Sequence, residues 1–300
     1  MKLSILTATY NRADLITRLY NSIVENLYDK LDVEWLIMDD GSSDDTENVV
    51  KSFKNINNLD IHYFKQENQG KMQAINNLME HVTGELVMDC DSDDYFVNDA
   101  FSKIYEKREI LLNDDSIYAL IFLKNENPQK LSGNRFSREN VNTTMFDMYF
   151  KEGITGEKIL VFRTDVRKKY KHELVDGEKF ITEARMYHKM DENHFVKCFN
   201  IVVVEGEYLE SGYTSNISKT FFEAPKGYYQ YFKEILGKNM KGVIFGKRLY
   251  ALKHYILFEN LIKANVNLGN IYNYTNKLLY LIILIPGKIK ANKFLNARRR

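Results

Sequence analysis

A chain whose strands alternate with helices, each strand running into a polar loop, has few folds open to it. Lys2–Ala8, Val33–Met38, Ile61–Phe64, Leu86–Met88 and Ile117–Leu123 read as short apolar strands. Helical segments separate them. Leu15, Ile16, Leu19, Ile23 and Leu27 recur at helical spacing, with Asn11 or Asp14 placed to cap them; a second helix begins near Asp45, and Met72–Val82 and Phe101–Leu112 are two more. This alternation, sustained over about 120 residues, predicts an α/β fold with a mostly parallel central sheet flanked by helices. Ligands of such sheets sit beyond the carboxyl ends of the strands. The polar clusters at Thr9–Arg12, Asp39–Asp44 and Asp91–Asp94 each follow a strand, so one rim gathers them.

The fourth strand makes the strongest demand. Leu86–Met88 ends in Asp89, Asp91, Asp93 and Asp94, four carboxylates within six residues. Like charges this close repel, so solvent or a cation has to neutralise them. Hard oxygen ligands at a strand end suit Mg²⁺ or Mn²⁺, which in turn suit nucleotide phosphates. A solvated acidic turn is the ordinary alternative. Cys90 reads as a filler at the strand end, because a soft thiolate matches these cations poorly.

Three hundred residues with 44% apolar and 13% aromatic content bury the core of one large domain or two smaller ones. With only Cys90 and Cys198, and no charged-then-apolar leader before Leu3, a cytoplasmic setting without disulfides is expected. The net charge of +1 conceals an asymmetry: residues 219–300 hold 16 Lys/Arg against 3 Asp/Glu, and residues 1–218 hold 26 against 38. An acidic body of −12 and a basic tail of +13 predict a domain over residues 1–218 and a separate basic helical region over 219–300.

Four segments then carry a family resemblance: Thr7-Ala-Thr-Tyr-Asn-Arg12; Leu36-Ile-Met-Asp-Asp-Gly-Ser-Ser-Asp-Asp-Thr46; Asn68-Gln-Gly-Lys71 with Ala74 and Asn76; and Asp91-Ser-Asp-Asp94. In this order and spacing they resemble the family-2 glycosyltransferases of the GT-A fold. The resemblance is specific over residues 1–100 and looser to residue 215. It implies a Rossmann-like GT-A sheet and a metal-dependent, inverting enzyme. Such an enzyme moves a sugar from a nucleotide sugar, most often a UDP-sugar, to a glycan or lipid-linked glycan in bacterial polysaccharide or capsule synthesis.

The residues support specific roles beside that resemblance. A nucleotide base needs a flat partner and an edge reader, for which Tyr10 and Asp40 are the candidates, with Thr9 and Arg12 lining the same pocket. A carboxylate accepts from the imide N–H of uracil, which cytosine and adenine lack. A plain turn is the alternative for Asp39-Asp40-Gly41. Lys71 is a candidate for the diphosphate or donor sugar, and Asn76 for the ribose or sugar, against a solvated Lys and an exposed helix Asn. Asp93 is the leading ligand for Mn²⁺ or Mg²⁺. Asp91 or Asp94 touches the ribose or completes the shell, with Ser92 beside them.

An inverting transfer also needs a base for the acceptor hydroxyl, on the side away from the metal loop. His172–His188 is an acidic loop running into a helix, and it resembles the family's acceptor-side motif. That match places Glu183 as the base, with Asp176 and Glu178 in reserve; acidic residues that merely favour a helix N-terminus are the alternative. Asn125–Phe150 reads as a long surface excursion. Lys158–Arg163 and Val196–Val204 resume strand character, and by resemblance a segment around Gly212–Ser218 closes over the diphosphate.

Phe221–Leu236, Ile244–Ala264 and Ile271–Ile285 carry helical spacing. Leu278–Ile285 is apolar throughout but too short to span a bilayer. Six Lys/Arg follow Pro286-Gly287. The tail therefore reads as an amphipathic segment on an anionic inner leaflet, or as a helical lid packed on the sheet domain. No RNA-binding motif is present, and no nucleic-acid partner is expected. Two other classes fit the donor residues. A non-catalytic nucleotide-sugar scaffold would keep Tyr10 and Asp40 without turnover. A sugar nucleotidyltransferase would release pyrophosphate, but a Gly-rich phosphate loop of that kind is absent.

Overall fold

The strands are β1 (Lys2–Thr9), β2 (Asp32–Asp39), β3 (Leu59–Lys65), β4 (Leu86–Asp89), β5 (Asp94–Phe96), β6 (Ile117–Asn127), β7 (Lys130–Leu131), β8 (Lys158–Arg163) and β9 (Phe195–Gly206). In the computed structural model, which describes residues 1–206, 220–221 and 223–263, they form one sheet in the order β3-β2-β1-β4-β8-β6-β9-β5, with β7 on β6. β1, β2, β3 and β4 run parallel, and β6 runs parallel to β9; β8 is antiparallel to both β4 and β6, and β5 to β9. The expected α/β, mostly parallel architecture is what forms. Because β8 runs backwards, its first residue, Lys158, reaches the rim where β4 ends.

The strands are apolar on both sides because both sheet faces are covered. Leu3, Ile5, Val33, Trp35, Ile37, Leu86 and Met88 enter one core, against α1 (Ala13–Glu25), α2 (Thr46–Ser52) and α4 (Ala100–Leu112). The alternate residues Leu6, Leu36, Met38 and Val87 enter the other. That second core lies against α3 (Lys71–Leu78), α5 (Met145–Phe150), α6 (Thr164–Arg167) and α7 (Glu183–Met190). Period-two side-chain alternation thus divides one apolar strand between two cores. The predicted surface excursion over 125–150 is shorter than expected: β6 continues to Asn127, β7 turns back on it, and α5 buries Met145, Phe146, Met148 and Phe150.

The basic region contributes α8 (Pro225–Gly237) and α9 (Phe245–Lys263). These helices are not separate from the sheet domain. Phe146 and Phe150 of α5 share one apolar cluster with Tyr228, Phe232 and Ile235 of α8 and Leu257, Phe258 and Leu261 of α9. The Tyr228 and Phe258 rings stack at 5.3 Å. The predicted helix at 271–285, the apolar wedge 278–285 with its basic end, the proposed closing segment 212–218 and the boundary near 218 lie outside the described residues.

One buried carboxylate ties the sheet together below the site. Glu34 on β2 is 2% exposed and accepts from the Ser4 hydroxyl on β1, the Thr83 hydroxyl and amide, and the Gly84 amide at the entry to β4. Burial pushes its carboxyl up, but these hydrogen bonds outweigh that and hold it below its ordinary 4.5. Glu34→Ala strands several buried donors and is expected to destabilise the fold by about 3 kcal/mol. A depressed carboxylate stabilises above its unfolded value and loses that contribution as pH falls. The gap in denaturation midpoint between wild type and Glu34→Ala should therefore be largest near neutrality and narrow as pH falls below 4.5 through the lowered folded value; a gap independent of pH would refute this account.

Candidate active site

Parallel register converts sequence spacing into a site. Thr9 pairs with Asp39 and Leu6 with Asp89 across β1, so the loops after β1, β2 and β4 emerge side by side. They border a cavity of about 1560 Å³, lined by Thr9, Tyr10, Arg12, Asp40, Lys71, Asp91, Ser92, Asp93, Asp94 and Glu183 among others.

The first two loops are sewn together. Asn11 takes a left-handed backbone, φ 51°, and its Oδ1 accepts from the amides of Ser43 and Asp44. The Arg12 amide donates to Thr46 Oγ1 and the Ala13 amide to Asp44 Oδ2. Asn11 and Asp14 therefore do not cap α1. Asp44, from the neighbouring loop, accepts from its first amide instead, which leaves Tyr10 at the cavity wall, 48% exposed.

Asp40 is 4% exposed and holds the next loop: Oδ1 accepts from Gln66 Nε2 at 2.7 Å and the Gln69 amide at 2.8 Å, and Oδ2 from the Gly70 amide at 2.8 Å. A carboxylate has about four acceptor positions, so one remains for a ligand. Gly70 opens α3 at φ +92°, and a Cβ there would sit 2.4 Å from the Lys179 carbonyl. Only glycine fits between the 66–70 loop and the 177–182 segment. That close approach delivers Lys71 to the centre of the site.

Three of the four carboxylates, Asp91, Asp93 and Asp94, each meet a protein cation. Lys71 Nζ lies 2.7 Å from Asp91 Oδ1 and 3.0 Å from Glu183 Oε1; Arg12 Nη1 lies 3.0 Å from Asp93 Oδ2; Lys124 Nζ lies 2.8 Å from Asp94 Oδ2 and from Glu157 Oε2. Arg18 also donates to the Asp93 carbonyl. The protein packed around the half-exposed Asp91 favours its neutral form, but Lys71 outweighs this and holds it below the usual carboxylate range. Asp94 goes the other way: burial, helped by Asp91, pushes it up to about 7 despite Lys124. Asp89 is raised by burial to about 6, and its Oδ1 is buried without a hydrogen-bond partner among the described residues.

These residues fit a hard divalent cation. Asp91 and Asp93 face the cavity, and the cations that hold them engage one oxygen of each. Among the described residues no group of three or more His, Cys, Asp or Glu encloses a metal. Mg²⁺ and Mn²⁺ need only one or two protein carboxylates where phosphates and waters complete the shell.

Three of the expected site residues are placed elsewhere. Asn76 does not line the cavity: it is buried, donating to the His172 carbonyl at 2.8 Å and accepting from the His172 amide at 2.9 Å, so its amide braces α3 against the loop at His172. Glu178 accepts from the amides of Lys226 and Gly227 at 2.7 and 2.8 Å. The first turn of α8 has unsatisfied amides, and Glu178 caps them from outside. Asp176 also stays off the wall and offers its carbonyl to Lys226. Glu183 alone of the three acidic candidates reaches the cavity, at the first turn of α7, where the Tyr187 hydroxyl donates to it at 3.4 Å.

Lys124, Glu157, Lys158 and Gly206 line the same cavity and were not singled out from sequence. Lys124 had a signal: it follows the apolar run Ile117–Leu123, as the other site residues follow their strands. Lys158 had none, because only the reversed direction of β8 brings it to this rim.

A doubly covered α/β sheet with an acidic, cation-bridged loop beyond its strand ends defines a GT-A-like protein. The model of the family described as Glycosyl transferase family 2 matches residues 4–171, and the chain belongs to that family. An uncharacterized glycosyltransferase, MG060, of Mycoplasma genitalium is 42% identical over 110 residues, 36% of this chain and 37% of the relative. The poly(ribitol-phosphate) β-N-acetylglucosaminyltransferase TarS of Staphylococcus aureus is 26% identical over 226 residues, 72% of this chain and 38% of TarS. A GalNAc(5)-diNAcBac-PP-undecaprenol β-1,3-glucosyltransferase of Campylobacter jejuni is 35% identical over 108 residues, 35% of this chain and 34% of the relative. The matches span less than two-fifths of the length of these curated relatives. In fold, the crystal structure of S. aureus TarS 1–349 in complex with UDP-GlcNAc superposes with a TM-score of 0.63 at 20% identity, covering 96% of this chain and 79% of that one. A Pyrobaculum calidifontis mannosyltransferase in complex with GDP-Man and Mn²⁺ gives 0.56 at 18% identity, covering 96% and 80%.

Gly70→Ala tests the close approach at the centre of this site. The strained φ and the clash with Lys179 are expected to destabilise the protein by about 2 kcal/mol. A denaturation midpoint equal to that of the wild type would mean that the two segments do not depend on this close approach.

Proposed function

We propose that the chain transfers a sugar from a UDP-sugar to a hydroxyl of a glycan, including one carried on a lipid, with inversion at the anomeric carbon. The observation that carries this reading is the meeting of Tyr10, Asp40, Asp93 and Glu183 at one cavity from four distant parts of the chain. The relatives add support: one is named for an undecaprenol-linked substrate, and one fold neighbour holds UDP-GlcNAc.

The half-exposed ring of Tyr10 offers a stacking face for the base, and the remaining acceptor position of Asp40 suits an imide N–H. Thr9 Oγ1 is buried with no hydrogen-bond partner among the described residues, which suits a contact to the nucleoside. Asp93 with Asp91 would hold Mn²⁺ or Mg²⁺; such a cation, when bound, offsets charge on the departing diphosphate. Arg12 and Lys71 orient the two carboxylates. Glu183 takes the proton of the acceptor hydroxyl as its oxygen bonds to the anomeric carbon and the bond to the diphosphate breaks on the opposite face. Lys71, held by both Glu183 and Asp91, fixes the distance between the base and the donor loop.

Residues 1–218 would form the donor-binding and catalytic domain in this reading, with the helices after them closing its acceptor side. The setting is the cytoplasm, at the inner membrane face for a lipid-linked acceptor, and the excess of Lys and Arg in residues 219–300 supports contact with anionic lipid. No helix among the described residues is long and apolar enough to cross a membrane.

A panel of UDP-sugars, scored for UDP release with Mn²⁺, with Mg²⁺ and with chelator, tests the reaction and its metal. Asp93→Ala should lower release at least a hundredfold at ordinary metal concentration. Wild-type rates in Asp93→Ala would refute the metal assignment. Glu183→Gln should lower turnover by roughly 10²–10⁴-fold with UDP affinity within about twofold of wild type. Near-normal turnover in that variant would move the base to another residue.

A further inference from the structure

The start of α9 differs from the rest of the surface. Of the nine large hydrophobic side chains that stand exposed among the described residues, four fall between 244 and 250: Ile244 at 41%, Phe245 at 75%, Leu249 at 49% and Tyr250. The core does not require them. α9 is already held from its other side, where Val243, Ala251, Leu257 and Phe258 enter the cluster shared with α5 and α8. Phe245 and Leu249, four residues apart, lie on one side of the helix. At the helix entry the Ile244 amide donates to the Phe150 carbonyl at 2.9 Å, which fixes the turn from which the patch projects.

Cations frame this patch. From Ile235 to Phe258 the chain has five Lys or Arg and no Asp or Glu, and Lys241, Lys247 and Arg248 flank the apolar residues. Arg248 Nε donates to the Val243 carbonyl at 3.1 Å, so its charge stays beside them. An exposed apolar cluster rimmed by charge marks an interaction surface. Gly246, Lys247 and Tyr250 also line the cavity, so the patch borders the site.

We infer that the start of α9, with the turn before it, docks on an anionic bilayer, Phe245 and Leu249 entering the headgroup boundary while Lys241, Lys247 and Arg248 meet lipid phosphates. Apolar side chains beside cations are what an interfacial helix needs. The sign of the charge disfavours other occupants. A second copy meeting this face about a two-fold axis would set cations against cations. Residues 264–300 carry seven Lys or Arg and no Asp or Glu, and so bring no counter-charge. A soluble polyanion would engage the cations but leave Phe245 in water. Docking here sets the cavity against the bilayer, where a lipid-linked acceptor enters; that consequence alone rests on the proposed sugar transfer.

The test is co-sedimentation of the full chain with vesicles of phosphatidylcholine alone and of phosphatidylcholine with phosphatidylglycerol, at low and high salt, beside a calorimetric titration of the wild type with UDP. The wild type should bind the vesicles that contain phosphatidylglycerol, bind them less at high salt, and bind phosphatidylcholine alone far less. The double variant Phe245→Ser, Leu249→Ser should weaken binding about tenfold or more, and Lys241→Glu roughly tenfold. Their denaturation midpoints should match the wild type, because these side chains lie outside the core. Unaltered vesicle binding in the double variant, or no binding of anionic vesicles by the wild type, would overturn the inference. So would a double variant that changes only the self-association of the free protein, which would assign the face to a second copy. Vesicle binding by a wild type that does not bind UDP would refute the donor reading and leave the docking face standing.

Discussion

Four carboxylates at the end of β4 cannot share so small a volume unless their repulsion is compensated, and the rest of the site is arranged to do that. Arg12 comes from the loop after β1, Lys71 from the start of α3, and Lys124 from β6. Each cation is therefore also a tether between the acidic loop and another element. The result is a pre-organised acidic loop, in which Asp91 and Asp93 are oriented by the protein itself. Glu183 joins the same network through Lys71, so the proposed base is positioned by the charge that steadies the acidic loop.

The polar scaffold behind this network matters as much as the charges. Asp40, Asn76 and Glu178 are each spent on backbone groups: Asp40 on the amides entering α3, Asn76 on His172, and Glu178 on the first turn of α8. Buried backbone donors without partners are costly, and one carboxylate or amide that satisfies two of them fixes the path of a loop. Through Glu178 and the shared cluster of Phe146, Phe150, Tyr228 and Phe258, the basic region becomes part of the cavity wall. Its rings Tyr231 and Tyr250 line that cavity.

The α/β class and the strand-end position of the site were legible because they depend on local pattern: apolar runs of strand length, helical spacing between them, and polar clusters after each run. Tyr10, Arg12, Asp40, Lys71, Asp91, Asp93 and Glu183 do meet in one cavity, as the family motifs implied. Asn76, Asp176 and Glu178 do not line it. A side chain in a motif-rich segment can face the ligand or serve the scaffold, and that choice depends on which backbone amides lie unsatisfied nearby. Lys158, Tyr231 and Tyr250 carried no local mark at all.

The sequence alone determined which residues become strands, where charge gathers, and that the chain follows the family-2 pattern, since each follows from the periodicity and chemistry of neighbouring residues. Only the tertiary structure decided which cation meets which carboxylate, that β8 runs backwards to bring Lys158 to the rim, and that helices far along the chain complete the cavity. Those outcomes arise from contacts between different elements of the fold, whose geometry no local pattern encodes.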